Sequence, residues 1–385
     1  MNEENQKKNE IKMPLCDKLV LSSSPHIQTG SSVQKIMFKV IIALSPAMAA
    51  SIYFFGMNAV KTLIATAFSC VIAEALWCII AKKSVKTALA DGSAIVTGLI
   101  LAMNFSAATP WYICLIGAFL AIWLGKQVFG GLGHNPFNPA VVARVALLIA
   151  LPGLMTTWIP TGKMVETAQH RISQHESYCK RFFSASDWQK LQDSIGKKYT
   201  VDTVTCATPL SMAKEREKNT KITQNHIFAD IDNRTAWKNY FLGNVGGSMG
   251  ETCALALIVG GILLIIWRLI NWRIPVFFIG TVFAVTGMIN FFYPNLTPSP
   301  VFHILTGGLM LGAIFMATDM VTSPVTNRGS AAFGIGCGLI TAVIRIWGNY
   351  PEGISFAILL MNALVPFIDK MFIRLPFGTP KKKGY

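Results

Sequence analysis

The chain has 385 residues, of which 52% are hydrophobic and only 14% charged, with a net charge of +15. Soluble domains carry about 25% charged residues, so this deficit, with a mean hydropathy of +0.47, excludes an ordinary soluble protein. Many lysines and arginines sit in short segments beside apolar runs, where membrane orientation accounts for them and nucleic-acid binding need not.

The chain opens on a polar segment, 1–35, with no apolar h-region, which predicts no cleavable signal peptide. Five apolar runs follow, near 36–56, 59–81, 92–109, 111–129 and 138–155. A polar stretch covers about 156–250. Five more runs lie near 251–270, 274–293, 301–318, 330–347 and 353–369, and a basic tail covers 370–385. A span needs roughly 20 mostly apolar residues, so the expected fold is an all-α polytopic membrane protein with ten transmembrane helices. Its segments are then a 1–35 cytoplasmic start, a 36–155 block, a 156–250 loop, a 251–369 block and a 370–385 cytoplasmic tail.

Orientation follows from the cation bias. With the N-terminus in the cytoplasm, inside segments carry Lys35, Lys39, Lys82, Lys83, Lys86, Lys126, Arg268, Arg273, Arg328 and Arg374. The short outside turns near 110, 294–300 and 348–353 carry none; Lys61 is the marginal exception. An even number of spans returns the C-terminus inside and puts the 156–250 loop outside. The blocks also echo each other: Gly98-Leu99-Ile100-Leu101-Ala102-Met103 resembles Gly308-Leu309-Met310-Leu311-Gly312-Ala313. Repeats of five spans must be inverted in the membrane, a transporter architecture with sites at the repeat interface.

Membrane-embedded acids point to function because a charge at mid-bilayer costs roughly 2.5–3.5 kcal/mol on insertion scales. Glu74, Glu251 and Asp319 are the ion-path candidates. Arg144 and Arg345 fall inside apolar runs as potential counter-ions. Two breaks stand out. Gly130 to Pro139 holds three glycines and two prolines and cannot be continuous helix. Thr318 to Thr326 is polar and Pro-interrupted at the matching place in the second block. The glycine-rich stretch Gly243 to Gly250 follows no strand in a βαβ unit, so a dinucleotide reading fails. Of the eight cysteines none forms a C-x-x-C pair, which leaves no zinc or iron–sulfur spacing; no metal site and no catalytic triad is expected.

Several long motifs resemble one family. They are Ser24-Pro25-His26-Ile27; Val40 to Ala47; Gly243 to Thr252; Asn271-Trp272-Arg273-Ile274-Pro275; Phe315 to Thr326; and Tyr350-Pro351-Glu352-Gly353. Together they resemble the D-type subunit of the Rnf ion-translocating ferredoxin:NAD⁺ oxidoreductase complex, itself similar to the B-type subunit of the sodium-pumping NADH:quinone oxidoreductase. The resemblance implies a translocase subunit, inactive alone, in a bacterial or archaeal cytoplasmic membrane, which couples electron transfer to Na⁺ or H⁺ movement. It implies FMN joined by a phosphoester to the last threonine of a D-x-x-(S/T)-G-A-T pattern. Asp202, Thr205, Ala207 and Thr208 match that pattern, with Thr208 as acceptor, and Cys206 stands where the family usually has glycine. A flavin transferase working outside the cytoplasm would make the bond, and the cation bias independently puts Thr208 outside. Further implied are a non-covalent riboflavin, the other Rnf subunits including a second covalent-FMN subunit (G), and subunits on the NADH and ferredoxin sides. The alternative is a non-redox channel or transporter for a small polar solute, since the family's fold is said to resemble urea transporters.

Overall fold

The computed structural model describes residues 32–161, 208–218, 228, 231–348, 350 and 352–372. The two termini and most of the 156–250 loop, with Asp202, Thr205, Ala207, Cys179 and Cys206, lie outside the described residues. Among the described residues every regular element is a helix and there is no strand.

Chain order begins with α1 (Val33–Phe55), α2 (Met57–Ile80), α3 (Val85–Ala90), α4 (Ser93–Met103) and α5 (Trp111–Phe119), which runs on as a π-helical segment, Leu120–Gln127. Next are α6 (Pro139–Ala150) and the single turn α7 (Pro152–Met155), then α8 (Pro209–Lys218) and α9 (Arg234–Leu242). The second half holds α10 (Ala254–Ile266), α11 (Arg273–Phe292), α12 (Pro300–Leu305) and α13 (Leu309–Leu311), which continues as a π-helical segment, Gly312–Met316. It ends with α14 (Asn327–Trp347) and α15 (Ile354–Met371).

Five helices, α1, α2, α11, α14 and α15, are long and apolar enough to cross a membrane. The other predicted spans hold shorter apolar helices. The 11 residues of α4 rise about 17 Å at 1.5 Å per residue, well short of a hydrocarbon core about 30 Å thick. Three expected boundaries shift for identifiable reasons. The run at 138–155 stops at Ala150, because Leu151 precedes Pro152 and leaves helical geometry at φ −134°. The run at 92–109 stops at Met103 and turns through Asn104. The run at 301–318 is broken in the middle. Gly307 and Gly308 both take positive φ, +70° and +64°, which only glycine adopts cheaply, so α12 ends and α13 starts afresh.

The two π segments are registered by i−5 hydrogen bonds, Val128 N to Trp123 O at 3.0 Å and Ala317 N to Gly312 O at 2.7 Å. Such widened turns concentrate at functional sites. Both flank the breaks singled out in the sequence.

Packing depends on small residues that let backbones touch. On α14, Gly334 and Gly338 face α11. A Cβ at Gly334 would lie 2.9 Å from Ile274 O, and one at Gly338 would lie 2.8 Å from Phe278 O. Gly98 of α4 sits as closely on α2, where a Cβ would meet Ala67 Cα at 2.7 Å. Gly260 of α10 abuts the Ala43 carbonyl of α1, which ties the first half to the second. Overpacking a tight core costs about 1–3 kcal/mol or more. Gly338→Leu is therefore expected to lower the thermal unfolding midpoint of the detergent-solubilised protein by several degrees, whereas Gly280→Leu, with nothing within 4 Å of its Cβ position, leaves it in place; equal midpoints for the two variants would contradict this packing.

Candidate functional site

The ends of the short helices meet near the middle of the described chain. Asn138 caps α6 by accepting from Ala140 N at 3.0 Å, with Pro139 at the first helical position. Its amide nitrogen donates across the molecule to Met316 O at 3.0 Å. Asn104 turns back to Ile100 O at 2.7 Å, and Thr318 turns back to Ile314 O at 2.5 Å. The glycine-rich stretch ahead of α10 completes this junction: Met249 N donates to Phe105 O at 3.0 Å and Gly250 N to Met103 O at 2.6 Å. Ser51 Oγ of α1 holds the Met249 carbonyl at 2.7 Å. Gly243 to Gly250 is thus a plug on the end of α4. Its last glycine is required because a Cβ there would lie 2.8 Å from Met103 O.

A cavity of about 120 Å³ opens beside this junction. Ser93, Thr97, Lys126, Asn135, Asn138, Thr318 and Asp319 give it polar walls, and residues of α1 and α10 give it apolar ones. Asn135 is buried with its Nδ2 on Phe137 O at 3.0 Å, while its Oδ1 has no partner. Asp319, half-buried, accepts from Thr322 Oγ1 at 3.3 Å.

Glu74 is fully buried in α2, and Lys126 Nζ reaches its Oε1 at 2.5 Å. Gln127 Nε2 donates to the same oxygen at 3.0 Å, and Lys126 also donates to Ser93 Oγ at 2.7 Å. The second carboxylate oxygen, Oε2, has no partner. Lys126, counted in the sequence among the flanking cations, is 2% exposed and joins the π-helical end of α5 to α2 and α4. The counter-ion of Glu74 is therefore Lys126 and not Arg144 or Arg345.

Arg345 serves the backbone. Its guanidinium donates to His303 O at 2.6 Å, Thr306 O at 3.0 Å and Gly307 O at 2.8 Å. These carbonyls lose their helical partners where α12 breaks, and unsatisfied backbone groups in an apolar interior cost several kcal/mol. Arg144 pairs with Glu352. Glu352 escaped notice as a charge because it sits in a loop motif, between Pro351 and Gly353.

Thr208 is the one residue of the predicted flavin pattern that is described. It is buried, 3% exposed, and caps α8. Its Oγ1 accepts from Ser211 N at 3.2 Å and donates to Ser211 Oγ at 3.1 Å. Two contacts seat α8 on the second half of the chain: Leu210 packs on Gly307, and Lys214 Nζ donates to Gly348 O and, at 3.0 Å, to Tyr350 O. A small cavity between them is lined by Pro209, Glu251, Thr306 and Gly307. The structure thus brings Glu251 beside the Thr208 helix, and Asp319 and the Lys126 partner of Glu74 beside the larger cavity. Among the described residues no cluster of three or more His, Cys, Asp or Glu could hold a metal ion.

Comparison with known proteins decides the family. The model describing the NQR2, RnfD, RnfE family matches residues 20–378. The chain belongs to this family. It is 39% identical to the D-type subunit of the proton-translocating ferredoxin:NAD(+) oxidoreductase complex of Clostridium ljungdahlii, over 93% of this chain and 96% of that protein. It is 37% identical to the D-type subunit of the Na(+)-translocating ferredoxin:NAD(+) oxidoreductase complex of Acetobacterium woodii, over 95% and 97%. It is 40% identical to the D-type subunit of the ion-translocating oxidoreductase complex of Stutzerimonas stutzeri, over 89% and 91%. Family membership and the apolar helices together make this a multi-pass membrane protein.

Removing one partner of a buried ion pair costs about 3–5 kcal/mol because the other charge is stranded. Lys126→Ala is expected to destabilise the protein more than the double variant Glu74→Gln, Lys126→Ala, as read by thermal unfolding; a double variant that unfolds at a lower temperature than Lys126→Ala would overturn the pairing.

Proposed function

We propose that this chain is the D-type membrane subunit of an Rnf-type complex, coupling electron transfer between ferredoxin and NAD⁺ to ion movement and inactive alone. The motifs quoted for the resemblance and the names of relatives matching over nine-tenths of their length support it. Those names divide between proton and sodium at similar identity, so the reading is of Na⁺ or H⁺.

The observation that carries the redox part is Thr208 at the start of α8. A phosphoester on Oγ1 would put its anionic oxygens at the N-terminus of a 10-residue helix, where the macrodipole and free amides favour negative charge. The Thr208 side chain fits FMN attachment in that respect, and Ser211 would orient it. When bound, the flavin supplies a relay that takes electrons singly or in pairs. Attachment would be made by a flavin transferase acting outside the cytoplasm, and the electrons would pass to a second covalent-FMN subunit, with the NADH- and ferredoxin-side subunits further along. Non-covalent riboflavin is the other cofactor of this reading. The cavity beside Asn135 is its candidate place, since a buried acceptor there lacks a donor.

The same reading takes the membrane part as ten crossings in two inverted five-helix repeats, with both termini cytoplasmic and the 156–250 loop outside. Two matching features support the repeat. Each half has a short helix started by a left-handed glycine, Gly92 at φ +75° and Gly308 at φ +64°. Each of those helices ends in a polar residue, Asn104 or Thr318, bonded back to the carbonyl four residues earlier. Broken helices at membrane depth are where transporters place ion sites, and Glu74, Glu251 and Asp319 all lie at such breaks or beside them. Expressed with a flavin transferase, Thr208→Ala is expected to abolish flavin fluorescence of the denatured subunit; fluorescence at the wild-type level would overturn the assignment.

A further inference from the structure

Lys126 is shared between a buried acid and the larger cavity. Its Nζ reaches Glu74 Oε1 at 2.5 Å and Ser93 Oγ at 2.7 Å, and Lys126 and Ser93 both line that cavity. An ammonium carries three donors, and these bonds place two of them. Among the described residues that line the cavity, Lys126 is the one lysine or arginine, and Glu74 is not among them. The carboxylate and the cavity are therefore two places served by one cation.

The local geometry lets that cation move without stripping Glu74 of every donor. The π-helical turn, closed by Val128 N on Trp123 O at 3.0 Å, presents Lys126 and Gln127 in succession to one carboxylate. Gln127 Nε2 donates to Oε1 at 3.0 Å and stays when Lys126 leaves. Oε2 has no partner, so the carboxylate keeps an open side. Lysine is a point charge on a flexible four-carbon stem. Ser93 Oγ, which donates onward to Asp91 Oδ1 at 2.6 Å, gives it a second foothold on the cavity wall. Asp319 lines the same cavity and, with Asp91, adds negative charge around Lys126. An uncompensated carboxylate in apolar surroundings is costly, so Glu74 gives up Lys126 only where another cation replaces it.

We propose that Lys126 couples electron transfer to ion movement: negative charge acquired by a flavin in the cavity draws its ammonium off Glu74, and Glu74 then takes up one Na⁺ or H⁺. Each electron that arrives from the ferredoxin side adds one negative charge to the cavity, and its departure towards NAD⁺ removes that charge. On arrival Lys126 turns to the cavity and one cation joins Glu74. On departure Lys126 returns to Glu74 and the cation is expelled. Charge balances at both places throughout. Lys126 carries neither the electron nor the ion; it acts by choosing between two positions. The inference rests on the placement of the non-covalent flavin beside Asn135 and goes beyond it, because that placement alone says nothing of how the electron is felt at Glu74.

Redox titration of the non-covalent flavin in the purified complex tests the link, run over a sodium series at fixed pH and over a pH series without sodium. By reciprocity, a cation that binds better in the reduced state also favours reduction, so the wild-type midpoint is expected to rise with the concentration of the translocated cation. Lys126→Met is expected to lower the midpoint, because the cavity loses its cation, and to flatten the dependence. Glu74→Gln is expected to raise the midpoint, because Lys126 is released to the cavity, and to flatten the dependence as well. A dependence that both variants leave at the wild-type slope, or a wild type with none on either cation, overturns the link. Should Lys126→Met fail to assemble, Lys126→Arg takes its place. A guanidinium grips a carboxylate with two parallel bonds, so this variant is also expected to flatten the dependence, and an unchanged slope overturns the link equally. Thr97 lines the cavity, and Thr97→Trp is expected to release the flavin, as read by ultrafiltration and absorbance. A flavin retained by that variant overturns its placement and the link together, whereas release with an unchanged slope in the Lys126 variants overturns the link alone.

Discussion

The structure depends on satisfying backbone polar groups where short helices end inside apolar surroundings. A continuous span meets this need by itself. A helix of 11 residues, such as α4, does not, and three breaks among the described residues have dedicated donors. Arg345 covers the three carbonyls freed at the end of α12. Asn138 covers Met316 O. The Met249 and Gly250 amides cover Phe105 O and Met103 O. Asn138 and the Met249 and Gly250 amides reach from one half to the other, so they also fasten the halves together, while Arg345 joins two elements of the second half.

Charge is placed by the same logic. Lys126 with Glu74, and Arg144 with Glu352, each join elements far apart in sequence. Buried pairs add little net stability, since desolvation offsets their attraction. Their retention is better explained by what they leave incomplete: Glu74 Oε2 and two Arg144 nitrogens lack partners. The Glu74 oxygen can accept from a donor or a cation, whereas the guanidinium nitrogens can only donate.

Much of the fold was legible as apolar runs, because hydrophobicity over roughly 20 residues is the dominant signal in a membrane chain. The breaks at 130–139 and 318–326 were legible from proline and glycine. The break at Gly307-Gly308 was hidden by its apolar surroundings, although consecutive glycines after Thr306 were a usable sign. The π segments left no such sign, since widening a turn by one residue alters neither composition nor period enough to notice. Lys126 reads in the sequence as a flanking cation near the end of an apolar run, and only the three-dimensional path of α5 turns it toward Glu74. Glu352 read as part of a loop motif, and its pairing with Arg144 spans 208 positions, beyond the reach of any local pattern. Thr208 was found through resemblance, and its capping of α8 follows from the Thr-Pro start of that helix.

The central claim is that Thr208, seated on the second half of the chain by α8, is where the redox group is fixed. Its most direct test is tandem mass spectrometry of peptides from the protein purified out of a flavin transferase-containing host. The account predicts the mass of an FMN phosphoester localised to Thr208 and to no other serine or threonine. An unmodified Thr208 peptide, or the adduct on another residue, would contradict it.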